Sequence, residues 1–167
     1  MSAERYGPGA SVSQPELAVS WVDKEDWRGF VPLSSRQWLL DHHLVMAWVA
    51  GVQFRKTTLR DDRFKPGCRL RVVLEPDNPH DRKAIGLWSA DGELQVGYVP
   101  RVIGQGLSSV EETRFGTTLW ELGPAGSRTG LGVLLSRSEV VLVTEVASLA
   151  TQRHLARKVR QYQQNQS

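Results

Sequence analysis

The spacing of apolar positions changes along the chain, and each change marks an element. From Leu44 to Phe54 the run LVMAWVAGVQF is apolar on both alternating faces for most of its length, the pattern of a strand covered on both sides. Arg69 to Leu74 alternates instead, with Leu70, Val72 and Leu74 on one face, and predicts a strand with a wet side. Two more strands, Ala84–Trp88 and Gln95–Val99, flank the pair Asp91-Gly92, a hairpin signal because such a turn requires positive φ. Further strands are read at Leu131–Leu135 and at the Val-rich Glu139–Val146, with Leu119–Leu122 as a candidate. Pro66-Gly67, the loop EPDNPHD and the loop PAGSRTG interrupt these runs, and the two prolines of EPDNPHD exclude regular pairing there. Many short strands with regular turns predict a mainly β domain, a small barrel or sandwich.

Helical signals are fewer. Ser34 with Gln37 three residues on fits a capping box, Trp38 and Leu39 supply apolar contacts, and a short helix is expected over 34–43. Pro100 lacks the N–H that a helix start leaves unpaired, so a second is expected over about 101–110, weakened by Gly104 and Gly106. After Ala147 the period becomes helical: Leu155, Val159 and Tyr162 fall at i, i+4 and i+7, and Arg153, Arg157 and Arg160 repeat that spacing two residues earlier. Two positions are about 200° of helix rotation, so the apolar and arginine stripes lie on nearly opposite faces. Residues 1–15 have Gly, Pro and Ser but no period, and read as a flexible arm.

Composition bounds the class. With 167 residues, 40% of them hydrophobic, and six Trp, the chain can bury one compact core and is not mostly disordered. The formal charge of +3 does not by itself announce a polyanion binder. Its distribution says more: residues 53–83 hold nine basic and five acidic side chains, residues 151–167 four basic and none acidic. The remaining segments are net acidic, so two cationic zones stand on a near-neutral protein. Sixteen Arg against five Lys lean towards anionic partners, since the planar guanidinium fork suits phosphate and stacks on bases. The one cysteine, Cys68, excludes an intramolecular disulfide framework and a cysteine-based zinc cluster. That reads as a reduced, cytoplasmic setting. The longest apolar stretch, Leu44–Val52, is about half the ~20 residues a membrane helix requires, and the start resembles no signal peptide.

Candidate chemistry is thin. His80, Asp81 and Asp77 share one proline-rich loop with no partner cluster at ligand spacing, which argues against a metal site. Asp81-Arg82-Lys83 imitates half of a metal-dependent nuclease site, with Asp61 or Asp62 as the other acid, but such tripeptides are common. Phosphate loop, nucleophile elbow and dinucleotide fingerprint are absent, so the expectation is a non-enzymatic protein without cofactor or metal. A binding role has more support. Phe54 is followed at once by Arg55 and Lys56, and a ring beside cations suits single-stranded nucleic acid.

The segments VAGVQF (49–54), LEPDNPHDRKAIGLW (74–88) and DGELQVGYVPR (91–101) resemble the successive blocks of the HIRAN domain, the DNA-binding module of helicase-like fork-remodelling ATPases. The resemblance implies an OB-like β-barrel over 44–146 with short flanking helices, preceded by the arm and an extension at 16–43 and followed by a basic helix at 147–167. It implies capture of single-stranded DNA ends bearing a 3′-hydroxyl: Phe54 at the position that stacks on terminal bases, Asp81 accepting from the hydroxyl, Arg101 contacting phosphate. Arg55, Lys56 and Arg82 add phosphate attraction. Gln53 stands where the helicase-like members have Arg, and His80 replaces a Tyr, retaining a ring that can stack. The expected partners are single-stranded DNA and other DNA-repair proteins. The alternatives are a protein-interaction adaptor that retains the barrel without end binding, and a metal-dependent nuclease.

Overall fold

The computed structural model describes residues 14–106 and 114–164. The arm at 1–15, apart from Gln14 and Pro15, and the second half of the helix expected after Pro100 lie outside the described residues.

The strands are β1 (Glu16–Asp23), β2 (Trp27–Pro32), β3 (Val45–Trp48), β4 (Arg69–Leu74) and β5 (Ile85–Ser89). They continue with β6 (Gln95–Tyr98), β7 (Phe115–Leu122), β8 (Gly130–Ser136) and β9 (Val141–Thr144). Among the described residues four α-helical segments accompany them: α1 (Arg36–Asp41), α2 (Lys56–Leu59), α3 (Arg101–Gly106) and α4 (Leu149–Gln164). The sheet runs β6-β5-β4-β7-β2-β1-β9, antiparallel except for the parallel pair β1–β9. Strand β7 is its hub. One edge pairs with β8, which in turn pairs with β3; the other edge is shared by β4 near Phe115–Thr117 and β2 near Trp120–Leu122.

The expectation of a mainly β fold holds, but the sheet is not closed into a barrel. Between β3 and β6, a single bridge stands where a closed barrel has a ladder: Ala50 N–H donates to Tyr98 O at 2.8 Å, and Tyr98 N–H to Ala50 O at 2.9 Å. The cause is local. The strand expected to continue to Phe54 stops at Trp48, and Gly51, at φ 80°, turns the chain into a 3₁₀ turn over Val52–Phe54. The first helix is also shifted by one residue: Ser35, rather than Ser34, is its N-cap, its Oγ accepting from Trp38 N–H at 3.1 Å.

Burial falls into two clusters. One, inside the curl, joins Val49, Phe64, Leu70, Ile85, Leu87, Val96 and Val133, and carries the wall from which the cleft described below opens. The other, on the far side of β7, joins Leu17, Val31, Trp120 and Leu134 to Leu155 and Val159 of α4. Residues 16–32 therefore supply two strands of this same sheet, where the sequence had marked only the helix that follows. The last helix is placed as its stripes demand. Leu155, Ala156 and Val159 are buried, Tyr162 leans on Trp120 with ring centroids 6.2 Å apart, and Ser148 caps the start by accepting from Thr151 N–H at 3.2 Å.

Candidate nucleic-acid interface

The loop between β4 and β5 is built by side chains because its prolines cannot pair in a sheet. Asn78 Oδ1 accepts from the N–H groups of His80 (2.9 Å) and Asp81 (3.1 Å), while Asp81 Oδ1 accepts from Lys83 N–H (2.9 Å). Underneath, the Glu75 carboxylate accepts from Asn78 Nδ2 (3.1 Å), Tyr98 OH (3.2 Å) and Gln95 Nε2 (3.2 Å), tying the loop to β6. The loop is thus held in one shape by five polar side chains, three of its own and two from β6, and Asp81 is presented at its end.

A cleft of about 930 Å³ opens beside this loop. Ala50, Ile85, Tyr98, Val99 and Pro100 give it an apolar wall, and Asn78, His80, Asp81, Arg82, Lys83 and Arg101 its polar rim. Asp81 is about a quarter exposed, and its Oδ2 lies 3.4 Å from Nε of Arg101, which is 69% exposed at the start of α3. A pair this open to water contributes at most about 1 kcal/mol, so an incoming group can displace the guanidinium at little cost. Among the described residues neither Arg82 nor Lys83 is drawn into an ion pair, which leaves the rim net positive around one carboxylate.

The eight residues singled out in the sequence divide between two places. His80, Asp81, Arg82 and Arg101 line the cleft. Gln53, Phe54, Arg55 and Lys56 do not; they follow the cleft-lining Ala50 on the turn that leads into α2. Phe54 does not end a strand, as expected, but sits at the end of the 3₁₀ turn with 84% of its surface exposed. Lys56 and Gln53 are exposed as well, and Arg55 is half-buried with Nη1 donating to Gln95 O at 3.5 Å. The sequence reading missed Glu75, Asn78, Lys83 and Tyr98. Tyr98 stands two residues from the buried Val96 on β6, the spacing of a single strand face, so the period-two pattern reads it as core and gives no signal for its place on the cleft wall. The acids nominated for a nuclease arrangement, Asp61 and Asp62, are not in the cleft with Asp81. Asp61 instead accepts from Arg63 N–H at 2.9 Å. Among the described residues no group of three or more His, Cys, Asp and Glu side chains is placed to hold a metal ion, and no helix is long and apolar enough to cross a membrane.

These features define a small, mainly β module with a cationic cleft at one end of its sheet and an exposed ring beside it. Residues 45–117 match the family model of the HIRAN domain, so the resemblance carried by the three sequence blocks holds over that stretch. The matched stretch includes every cleft residue and the Phe54 turn, and leaves out β1, β2, β8, β9 and α4. Among solved structures, the chain is similar to the HIRAN domain of human HLTF at 12% sequence identity, covering 71% of this chain and 88% of that one, with a TM-score of 0.41. No curated protein matches the chain.

Proposed function

We propose that this chain is a non-enzymatic module that binds single-stranded DNA and captures 3′-hydroxyl ends in the cleft, serving DNA repair or replication-fork processing. The HIRAN domain is a known DNA-binding module, and the match over 45–117 supports a nucleic-acid partner. The observation that carries the finer reading is the part-shielded Asp81 carboxylate set in a cationic rim, with the exposed Phe54 ring one short turn after the cleft-lining Ala50. Asp81 Oδ2 accepts the hydrogen bond of a terminal hydroxyl, Arg101 turns from the carboxylate to a phosphate, and Phe54 stacks on a terminal base for ~1–3 kcal/mol. A 3′-phosphate at the same place brings a second negative charge against Asp81. At ~4 Å such repulsion is about 1 kcal/mol in bulk water and about 4 kcal/mol at the effective dielectric of a protein surface.

The test compares a labelled oligonucleotide carrying a free 3′-hydroxyl with its 3′-phosphorylated twin, across a salt series. The expected result is tighter binding of the hydroxyl form, loss of the difference in Asp81→Ala, and affinity that falls steeply with salt. Equal binding of the two oligonucleotides by the unaltered protein removes end capture. Absence of binding to any oligonucleotide at low salt favours an adaptor, and magnesium- or manganese-dependent cleavage that Asp81→Ala abolishes makes it a nuclease.

A further inference from the structure

Helix α4 carries a feature that the cleft does not use. Arg153, Arg157 and Arg160 are exposed along one face, and from Val146 to the end of the chain there is no acidic residue. Among the described residues none of the three arginines makes an ion pair or a side-chain hydrogen bond.

The face is held in place. The opposite side of the helix is fixed by the burial of Leu155, Ala156 and Val159, and by Lys158, whose Nζ donates to Ser34 O at 3.1 Å and Pro32 O at 3.4 Å. The arginines therefore keep the register of a docked helix. Arg153 to Arg160 spans about 10 Å along the axis. A nucleic-acid strand in a duplex offers a phosphate per ~3.4 Å of axis, so the stripe is long enough to meet about three.

The choice of partner follows from what each face does. A basic amphipathic helix enters a lipid interface by its apolar side, and here that side is consumed by the core. What remains is a straight row of guanidinium groups, whose planar forks match phosphate oxygens in pairs. We propose that the arginine face of α4 is a second nucleic-acid contact, binding the phosphate backbone without regard to base or strand end. It is separate from the cleft: α4 packs on β1 and β2 while the cleft opens beside β5 and β6, and β2 and β4 meet the same edge of β7 at positions centred five residues apart, roughly 17 Å along that strand. Its function does not depend on end capture.

The experiment uses covalently closed circular DNA, single-stranded in one arm and duplex in the other, since a closed circle has no end for the cleft. The full chain is compared with Arg153→Gln/Arg157→Gln/Arg160→Gln, a variant whose unchanged melting temperature confirms folding. The expected result is binding of at least one circle at low salt, weakened at least tenfold in the triple variant, with the slope of log affinity against log salt reduced by about 2. The triple Arg→Lys variant keeps the slope. Failure of the unaltered protein to bind either circle overturns the proposal, as does a triple Gln variant with unchanged affinity and slope. A missing 3′-hydroxyl preference, by contrast, refutes end capture alone.

Discussion

Phe54 shows how little a residue's type says about its place. At the end of LVMAWVAGVQF it is expected to close a covered strand, yet Gly51 turns the backbone and leaves the ring 84% exposed on a 3₁₀ turn. Burial of such a ring stabilises a fold by a few kcal/mol, and here that stabilisation is absent. Phe54→Ala is therefore expected to move the unfolding free energy by less than ~0.5 kcal/mol while weakening single-strand binding by ~1–3 kcal/mol; denaturant titration and fluorescence anisotropy separate the two. A large stability loss with unchanged binding makes Phe54 a packing residue. Asp91 is the opposite case, legible in sequence because Asp-Gly signals its turn. Ser89 Oγ–H and Glu93 N–H both donate to Asp91 Oδ1, and these bonds, the Ser89 one foremost, with Arg63 close by, lower the carboxyl below its usual 3.8 against the effect of burial. A lowered folded value means that the stabilisation is present above 3.8 and is lost as pH falls through the folded value. Asp91→Asn should accordingly be less stable than the parent at pH 7 and should close the gap at strongly acidic pH, as read from urea midpoints across the series. A constant gap at every pH assigns the effect to something other than this charge.

Elements were legible where alternation was clean and lost where polarity was inverted. Strands β4, β5, β6 and β8 stand within a residue or so of the positions read from their patterns. Strands β1 and β2 went unread because Ser20 and Arg28 are buried while Trp21 is exposed, which erases the period-two signal. Arg28 is buried for a reason that also bears on the Phe54 turn. Its Nη1 pairs with Glu121 at 3.3 Å, Glu121 pairs with Nη2 of Arg128 at 3.5 Å, and Arg128 Nη1 donates to the carbonyls of Leu59 (2.6 Å) and Asp61 (3.1 Å). This buried chain of charges clamps the end of α2, and with it the segment that follows Gln53 to Lys56. Arg128→Met leaves two carbonyls without their donor and one carboxylate with half its partners, at a cost on the order of 3 kcal/mol. Faster amide exchange is expected at Arg60–Phe64, with protection of β7 retained; uniform loss of protection across the sheet shows a global rather than a local role.

At the scale of the whole molecule, the net +3 resolves into cations gathered at two ends of one sheet, the cleft beside β5 and β6 and the helix on β1 and β2. The sequence showed both cationic zones as charge counts but could not place them, because the curl that separates them depends on branching at β7 and on one bridge between Ala50 and Tyr98. That bridge is a specific weakness of the cleft. A Cβ on Gly97 would lie 2.4 Å from Ala50 O and 2.6 Å from Val49 Cγ1, closer than such atoms approach, so only glycine lets β6 come this near. Gly97→Ala must push Ala50 away from Tyr98, two residues that line the same wall of the cleft. Overpacking of this kind costs ~1–3 kcal/mol, enough to shift the unfolding midpoint without preventing folding. The cleft should suffer more than the fold. In Gly97→Ala the preference for a 3′-hydroxyl over a 3′-phosphate end should shrink towards unity, while binding of closed circular DNA, which depends on the distant arginine face, stays within about twofold of the parent. Measured on one preparation at one salt concentration, these two readouts separate the sites. Parallel loss of both means that the curl of the sheet couples them, and retention of the end preference means that the bridge does not shape the cleft.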